Sequence, residues 1–351
     1  MEGKKQILED WDCVKVITSL LVVIGHSTFF YTEAAAIRPL ISSSVLDIIT
    51  KYIYSFHMPL FIAVSGAIYF YGKRTLGKYK QQKPFIKNKI LRLLIPYFFF
   101  ATCIITPLIY YMKIVDVPVL NYYIENILLG KNPRYLWYVL ALFNISIIFN
   151  FFEKYIFKLN FIYNFIFFFC LFLIASFFPS FFVLKATMAY LLFFFLGYEF
   201  QCNKSRLIPI LRKTYAIVFL LIVSISSFLF SIYLEDKEGI IFKMSTKLLG
   251  FSSALSGGTL FYLLATYLLT TKFITTGFYA FISKGSYGLY LFHPMIIYLV
   301  YYFTKNLAVN PYILSLLACI ISFSLSGLLI ILFRKLNLYI LIGESNPKPK
   351  Q

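Results

Sequence analysis

Carboxylates and histidines are what this chain has least of. Fourteen Asp and Glu and three His are spread over 351 residues, and charged residues together make up only 13%. Hydrophobic residues make up 60%, in apolar runs too long and too frequent for a soluble core. Cysteine is also sparse. Cys13, Cys103, Cys170, Cys202 and Cys319 each lie in or beside an apolar run, so neither a disulfide framework nor a thiol–metal spacing is present. Three histidines without clustered carboxylates leave no ligand set for an intramembrane zinc or di-iron centre. Repeats of fixed period and Pro-rich or Ser-rich linkers are missing too. What remains is an all-α integral membrane protein, a single bundle of helices with short loops and no room for a large soluble domain.

Hydropathy predicts about ten spans, at 14–31, 53–71, 93–112, 136–152, 161–178, 182–200, 215–234, 248–271, 287–303 and 311–333. The first follows acidic as well as basic residues and lacks a small-residue cleavage site, which predicts a retained span and not a signal peptide. Between the second and third, Lys73, Arg74, Lys78, Lys80, Lys83, Lys87, Lys89 and Arg92 occur with no acid, the mark of a cytoplasmic loop. With both termini on that side, 22 Lys and Arg fall inside and 10 outside, and Lys15 in the first span completes the 33. The net charge of +19 thus reflects membrane orientation and not a nucleic-acid partner. Glu235, Asp236 and Glu238 fall in an outer loop. The organisation expected is one polytopic domain over residues 1–343 and a disordered cytoplasmic tail at 344–351. In the eighth span Ser252, Ser253, Ser256, Gly257 and Gly258 form either a close-packing seam or part of a substrate channel.

Chemistry concentrates in the first span, WDCVKVITSLLVVIGHSTFFY from Trp11. At 100° and about 1.5 Å per residue, Lys15 and His26 differ by roughly 20° in azimuth and ~16 Å in height. Asp12, Lys15, Ser19 and His26 therefore form one polar stripe that faces protein or water and not lipid. His26 is the leading catalytic candidate: an imidazole can take a proton from a hydroxyl and return it to a leaving thiol, the alternative being a histidine hydrogen-bonded inside the bundle. Lys15, with Asp12 one turn away, is either a cation for the phosphates of a cytoplasmic donor or a snorkelling anchor. His57, beside Pro59 in SFHMPLFIAVSG, is placed at the outer face, where it could approach His26 or simply occupy the interface. His293, in GSYGLYLFHP, is placed a third of the way into its span from the cytoplasm. Trp137 and Tyr138 begin the fourth span from outside, as substrate contacts or as an aromatic belt. Arg92 ends the basic loop, as a donor-phosphate ligand or as positive-inside placement.

These segments, in this order, resemble the bacterial membrane acyltransferase family 3 over nearly the whole chain. The first-span pattern is a basic residue, ten positions and a histidine, here Lys15 to His26 within LLVVIGH; SFHMPLFIAVSG, RLLIPYFFF, LWYVLALF and SKGSYGLYLFHP are similar to four further family phrases. Lysine at the basic position, with Asp12 three residues before it, looks like the polysaccharide-modifying branch, although a lysine cannot make a guanidinium's bidentate phosphate contact. The resemblance implies a ten-helix bundle, acetyl-CoA or another acyl-CoA as donor, no permanently bound cofactor, and a cell-envelope glycan or its lipid-linked precursor as acceptor. It also implies a multi-pass protein of the bacterial cytoplasmic membrane, with polysaccharide synthesis or export machinery as a partner. Some relatives carry a fused hydrolase-like domain that this sequence is expected to lack.

The function expected is therefore an O-acyltransferase with His26 and His57 as catalytic residues, Lys15, Arg92 and Asp12 at the donor, and Trp137, Tyr138 and His293 at the acceptor. The rival is a polysaccharide export component. Net transport of a sugar polymer needs a continuous polar path, which so sparse a polar content argues against.

Overall fold

A computed structural model describes residues 2–345, with the side chains of residues 2–7 outside the description. Every regular element among the described residues is helical. In chain order the helices are α1 (Glu2–Thr28), α2 (Ser44–Phe70), α3 (Gln82–Lys89), α4 (Ile95–Phe100), α5 (Thr106–Tyr111), α6 (Val119–Tyr122), α7 (Trp137–Ile156), α8 (Phe161–Ile174), α9 (Leu184–Leu211), α10 (Thr214–Glu235), α11 (Ile240–Leu268), α12 (Gly277–Thr304) and α13 (Pro311–Lys335). Eight stretches among the described residues are long and apolar enough to cross a membrane. The other two expected spans coincide with the 17-residue stretch Phe161–Phe177, which is short, and with α12, which is long but not among the eight.

Prolines and caps explain several boundaries. The third span is continuous from Gln82 to Tyr111, but its helix opens into wide turns at Ile90–Leu94 and Ala101–Ile105, directly before the segments that carry Pro96 and Pro107. A proline has no N–H to give and its ring crowds the carbonyl four residues back, and a widened turn accommodates both. Ser43 caps α2 by accepting from the Leu46 N–H, with Asp47 in the first turn favoured by the helix dipole. Asn310 caps α13 just before Pro311, whose missing N–H costs nothing at a first position.

α1 is the axis of the bundle, packed against α2, α11, α12 and α13. Its apolar stretch is 67% buried, against 17% for α10 at the periphery. α2 and α9 cross so closely that Gly66 lies against the Phe194 carbonyl and Gly197 against the Ala63 carbonyl, leaving no space for a side chain at either position. The small residues of α11 pack on α2: Ser253 hydrogen-bonds Ser55, and Gly257 lies against the Phe56 ring. They form a packing seam.

Side-chain contacts fix the direction of the helices. Asp12 meets Ser283 near the start of α12 and His26 meets His293 further along it, so α1 and α12 run parallel. Arg334 at the end of α13 donates to the Lys284 carbonyl, and Arg92 donates to the Gly343 carbonyl. The start of α1, the end of α13 and the basic 72–92 segment thus share one end of the bundle. At the other end Lys51 pairs with Asp47 and Glu235, each at 3.6 Å. Of the expected tail, residues 346–351 lie outside the described residues, whereas Glu344 is held by a two-pronged ion pair with Arg334, at 2.6 and 2.9 Å.

Two depths differ from expectation. α2 begins at Ser44, nine residues before the expected span, because Asp47 and Lys51 lower the hydropathy of a turn that is nonetheless helical. His57 is therefore 13 residues into its helix, well past its start. α12 likewise begins at Gly277 instead of 287, which places His293 16 residues along and level with His26.

Candidate active site

Three helices bring the three histidines together. The His26 and His293 rings meet edge to face, with centroids 5.0 Å apart. Tyr54 joins the third: its ring is 5.9 Å from that of His26 and 4.9 Å from that of His57. Tyr54 thus contacts both His26 and His57. Gly25 permits this packing, since a Cβ there would lie 2.9 Å from Tyr54 Cε1.

The three imidazoles are held differently. His57 Nδ1 and His293 Nδ1 each lie 2.8 Å from the backbone carbonyl four residues earlier, those of Ile53 and Leu289. A carbonyl only accepts, so Nδ1 carries the proton in both rings and Nε2 is left with its lone pair. His293 is fully buried and its Nε2 has no partner among the described residues. Pro294 beside it has no N–H for the Tyr290 carbonyl. His26 differs from both. Among the described residues neither of its ring nitrogens has a hydrogen-bond partner, and the ring lines a cavity of about 240 Å³. That opening leaves the His26 nitrogens free for a reacting group.

The cavity is mostly apolar. Phe29, Ile109, Met112 and Met295 contribute to its wall, together with Trp137 and Arg134. Trp137 thus reaches the His26 cavity from the first turn of α7. Tyr138, the next residue, turns away and packs between Phe61 and Tyr290, with centroids at 6.0 and 5.3 Å. No local pattern singles out Tyr54 or Arg134. Tyr54 is one of 29 tyrosines, and Arg134 reads as an ordinary interfacial cation before YLWY; a position one turn before His57, and one three residues before an aromatic helix start, are the only cues.

At the opposite end of the same stripe, Lys15 pairs with Asp12 at 2.6 Å, and both side chains remain about a third exposed. Asp12 also accepts from Ser283 Oγ at 2.5 Å and Tyr279 OH at 3.2 Å, so α12 grips α1 at both levels. Ser19 donates to the Lys15 carbonyl. Arg92 is exposed, and its Nε is engaged by Gly343 while the rest of the guanidinium has no partner among the described residues. Two residues before the stripe, Asp10 is buried and receives Lys204 and Tyr262, both at 2.5 Å. Trp11 Nε1 donates to Gln201 at 2.6 Å. These contacts anchor the start of α1 between α9 and α11.

A family model described as an acyltransferase domain, that of acyltransferase family 3, matches residues 8–331. No curated protein and no solved structure matches the chain.

Proposed function

The chain belongs to acyltransferase family 3 and is a multi-pass membrane acyltransferase, and on that premise we propose that it moves a short acyl group, acetyl first, from acyl-CoA to a hydroxyl of a cell-envelope polysaccharide or its lipid-linked precursor. The donor comes from the cytoplasm, and the membrane is the inner one. The observation that carries this reading is His26, unbonded on a cavity wall with a second imidazole 5.0 Å away. It sits ~16 Å along one helix face from the Lys15–Asp12 pair.

In this reading the donor's phosphates meet Lys15, with Arg92 as a second cation, and the pantetheine arm runs along α1 toward His26. The acceptor hydroxyl oxygen attacks the thioester carbonyl. The C–O bond forms, the C–S bond breaks, and His26 takes the hydroxyl proton and returns it to the departing thiolate. His293 and His57, each with Nδ1 committed to a backbone carbonyl, act as fixed neutral acceptors that position His26 and the acceptor. Trp137 contributes an aromatic wall to the reaction cavity, and Tyr138 supports it from behind through Tyr290.

The test is incubation of membranes with radiolabelled acetyl-CoA and a candidate polysaccharide, comparing wild type with His26→Ala. Label entering glycan only with wild type supports the proposal. Equal labelling by both overturns the role of His26, and no acetyl-CoA-dependent label in any glycan overturns the donor and acceptor assignment.

A further inference from the structure

A second cavity lies on the other side of Tyr54. Its volume is about 540 Å³, within the roughly 300–1,000 Å³ of small-molecule sites. Phe29 and Tyr54 line both this cavity and the one that holds His26. Their rings stack at 6.0 Å and 12°, so one pair of stacked rings is the partition between the two spaces. The Tyr54 hydroxyl has no hydrogen-bond partner among the described residues.

The two spaces differ in chemistry. Beside His26 the wall is mostly apolar, which suits an acyl chain. The second chamber is lined by hydroxyls, including those of Ser55, Ser231 and Thr246, and by Glu33, Asp47, Glu235 and Asp236 against a single ammonium, Lys51. In a protein of net charge +19, this chamber is locally acidic. The Lys51 pairs at 3.6 Å are loose, and one carboxylate oxygen of Asp47 has no partner among the described residues. Carboxylates and hydroxyls around an aromatic face match a polyhydroxylated ring, since the acceptors take its O–H groups and the aromatic ring covers its C–H face. An anionic ring would meet four carboxylates.

We propose that this outer chamber is the acceptor site, that it takes an uncharged or amine-bearing saccharide and rejects an anionic one, and that the Phe29–Tyr54 pair is the gate through which one hydroxyl reaches His26. The proposal rests on the acyltransferase reading and narrows its substrate class. Group transfer is unchanged from that reading, with the hydroxyl proton passing to His26 and then to the thiol. The chamber supplies binding and selection, and Tyr54 supplies the passage.

Saccharide binding can be measured without any acyl transfer, which separates this proposal from the one beneath it. The full chain in nanodiscs is titrated with three trisaccharides, of glucose, of glucosamine and of galacturonic acid, with binding read by saturation-transfer NMR. Glucose and glucosamine trisaccharides should bind, and the uronate trisaccharide should bind at least roughly tenfold more weakly, the size of a net repulsion by partly solvated charges. The double variant Glu235→Gln/Asp236→Asn should close most of that gap, and Ser231→Trp, which intrudes into the chamber, should weaken binding of all three. Preference for the uronate, no binding of any trisaccharide at millimolar concentration, or wild-type binding by Ser231→Trp would each overturn the proposal. Should Ser231→Trp fail to insert, the conservative double variant still decides, because an unchanged uronate gap refutes the charge argument. Absence of acetyl-CoA-dependent transfer with saccharide binding intact would instead count against the function and leave the site standing.

Discussion

Replacing Gly197 by alanine adds one methyl group at the tightest helix crossing in the bundle. The new Cβ would lie 2.6 Å from Ala63 Cα, where carbon atoms in contact stand about 3.6 Å apart. The facing atoms are all backbone of Ala63, so no side chain can swing aside and α2 and α9 must separate by about 1 Å. Overpacking of this kind costs about 1–3 kcal/mol. Ala63 is six residues, about 9 Å, from His57 on the same helix, and nine residues from Tyr54. A displacement of about 1 Å at reacting groups can cost on the order of 10²-fold in rate, so Gly197→Ala should lower both stability and transfer. Gly250→Ala is the control. It lies within α11 with nothing within 4 Å of its Cβ, and alanine there should stabilise by roughly 0.5–1 kcal/mol. The assay is thermal unfolding of both variants in one detergent, followed by transfer at matched folded protein. Equal midpoints for Gly197→Ala and wild type would refute the reasoning, because the crossing would then have slack that the backbone contacts deny.

Three further outcomes follow from the same geometry. Lys15→Ala should weaken acyl-CoA binding and raise its KM with little change in kcat, and Lys15→Arg should retain most activity; an unchanged KM in Lys15→Ala would make the residue a membrane anchor. Trp137→Ala enlarges the His26 cavity and should slow transfer of acetyl more than that of a longer acyl group, measured as the ratio of kcat/KM for the two donors, and a constant ratio would remove Trp137 from the donor's path. Reporter fusions after Gln351 and within 236–239 should register on opposite faces of the membrane, the first cytoplasmic; the same face for both would contradict the direction of the helices.

Much of the bundle was legible because apolar runs of membrane length have few alternative fates. Charge asymmetry placed the basic 72–92 segment with the end of α13, and Arg92 bonded to Gly343 realises that proximity. What hydropathy obscured were helix starts that contain charges. SVLDIITKY reads as a polar approach, yet Asp47 and Lys51 lie one turn apart and pair with each other and with Glu235, so the helix continues nine residues further out. FISKGS lowers the hydropathy of the first turns of α12 in the same way, although Ser283 there holds Asp12. Those two shifts set His57 and His293 further along their helices than the expected spans, while the stripe from Asp12 to His26, internal to one regular helix, needed only the 3.6-residue period. The partition by Tyr54 was not legible at all. It depends on which of many aromatic residues faces two cavities, a property of the packing of α1 on α2 that no local pattern encodes.

The central claim is that His26 moves a proton during transfer, and the amide substitution tests it most directly. His26→Gln keeps a polar side chain that can hydrogen-bond at the cavity wall but cannot accept and return a proton near neutral pH, so membrane insertion and expression should match wild type. Transfer of label from acetyl-CoA to glycan, measured at matched protein in the membrane, should fall by about 10² to 10⁴-fold, the usual contribution of a general base. Near-wild-type transfer by His26→Gln would contradict the account.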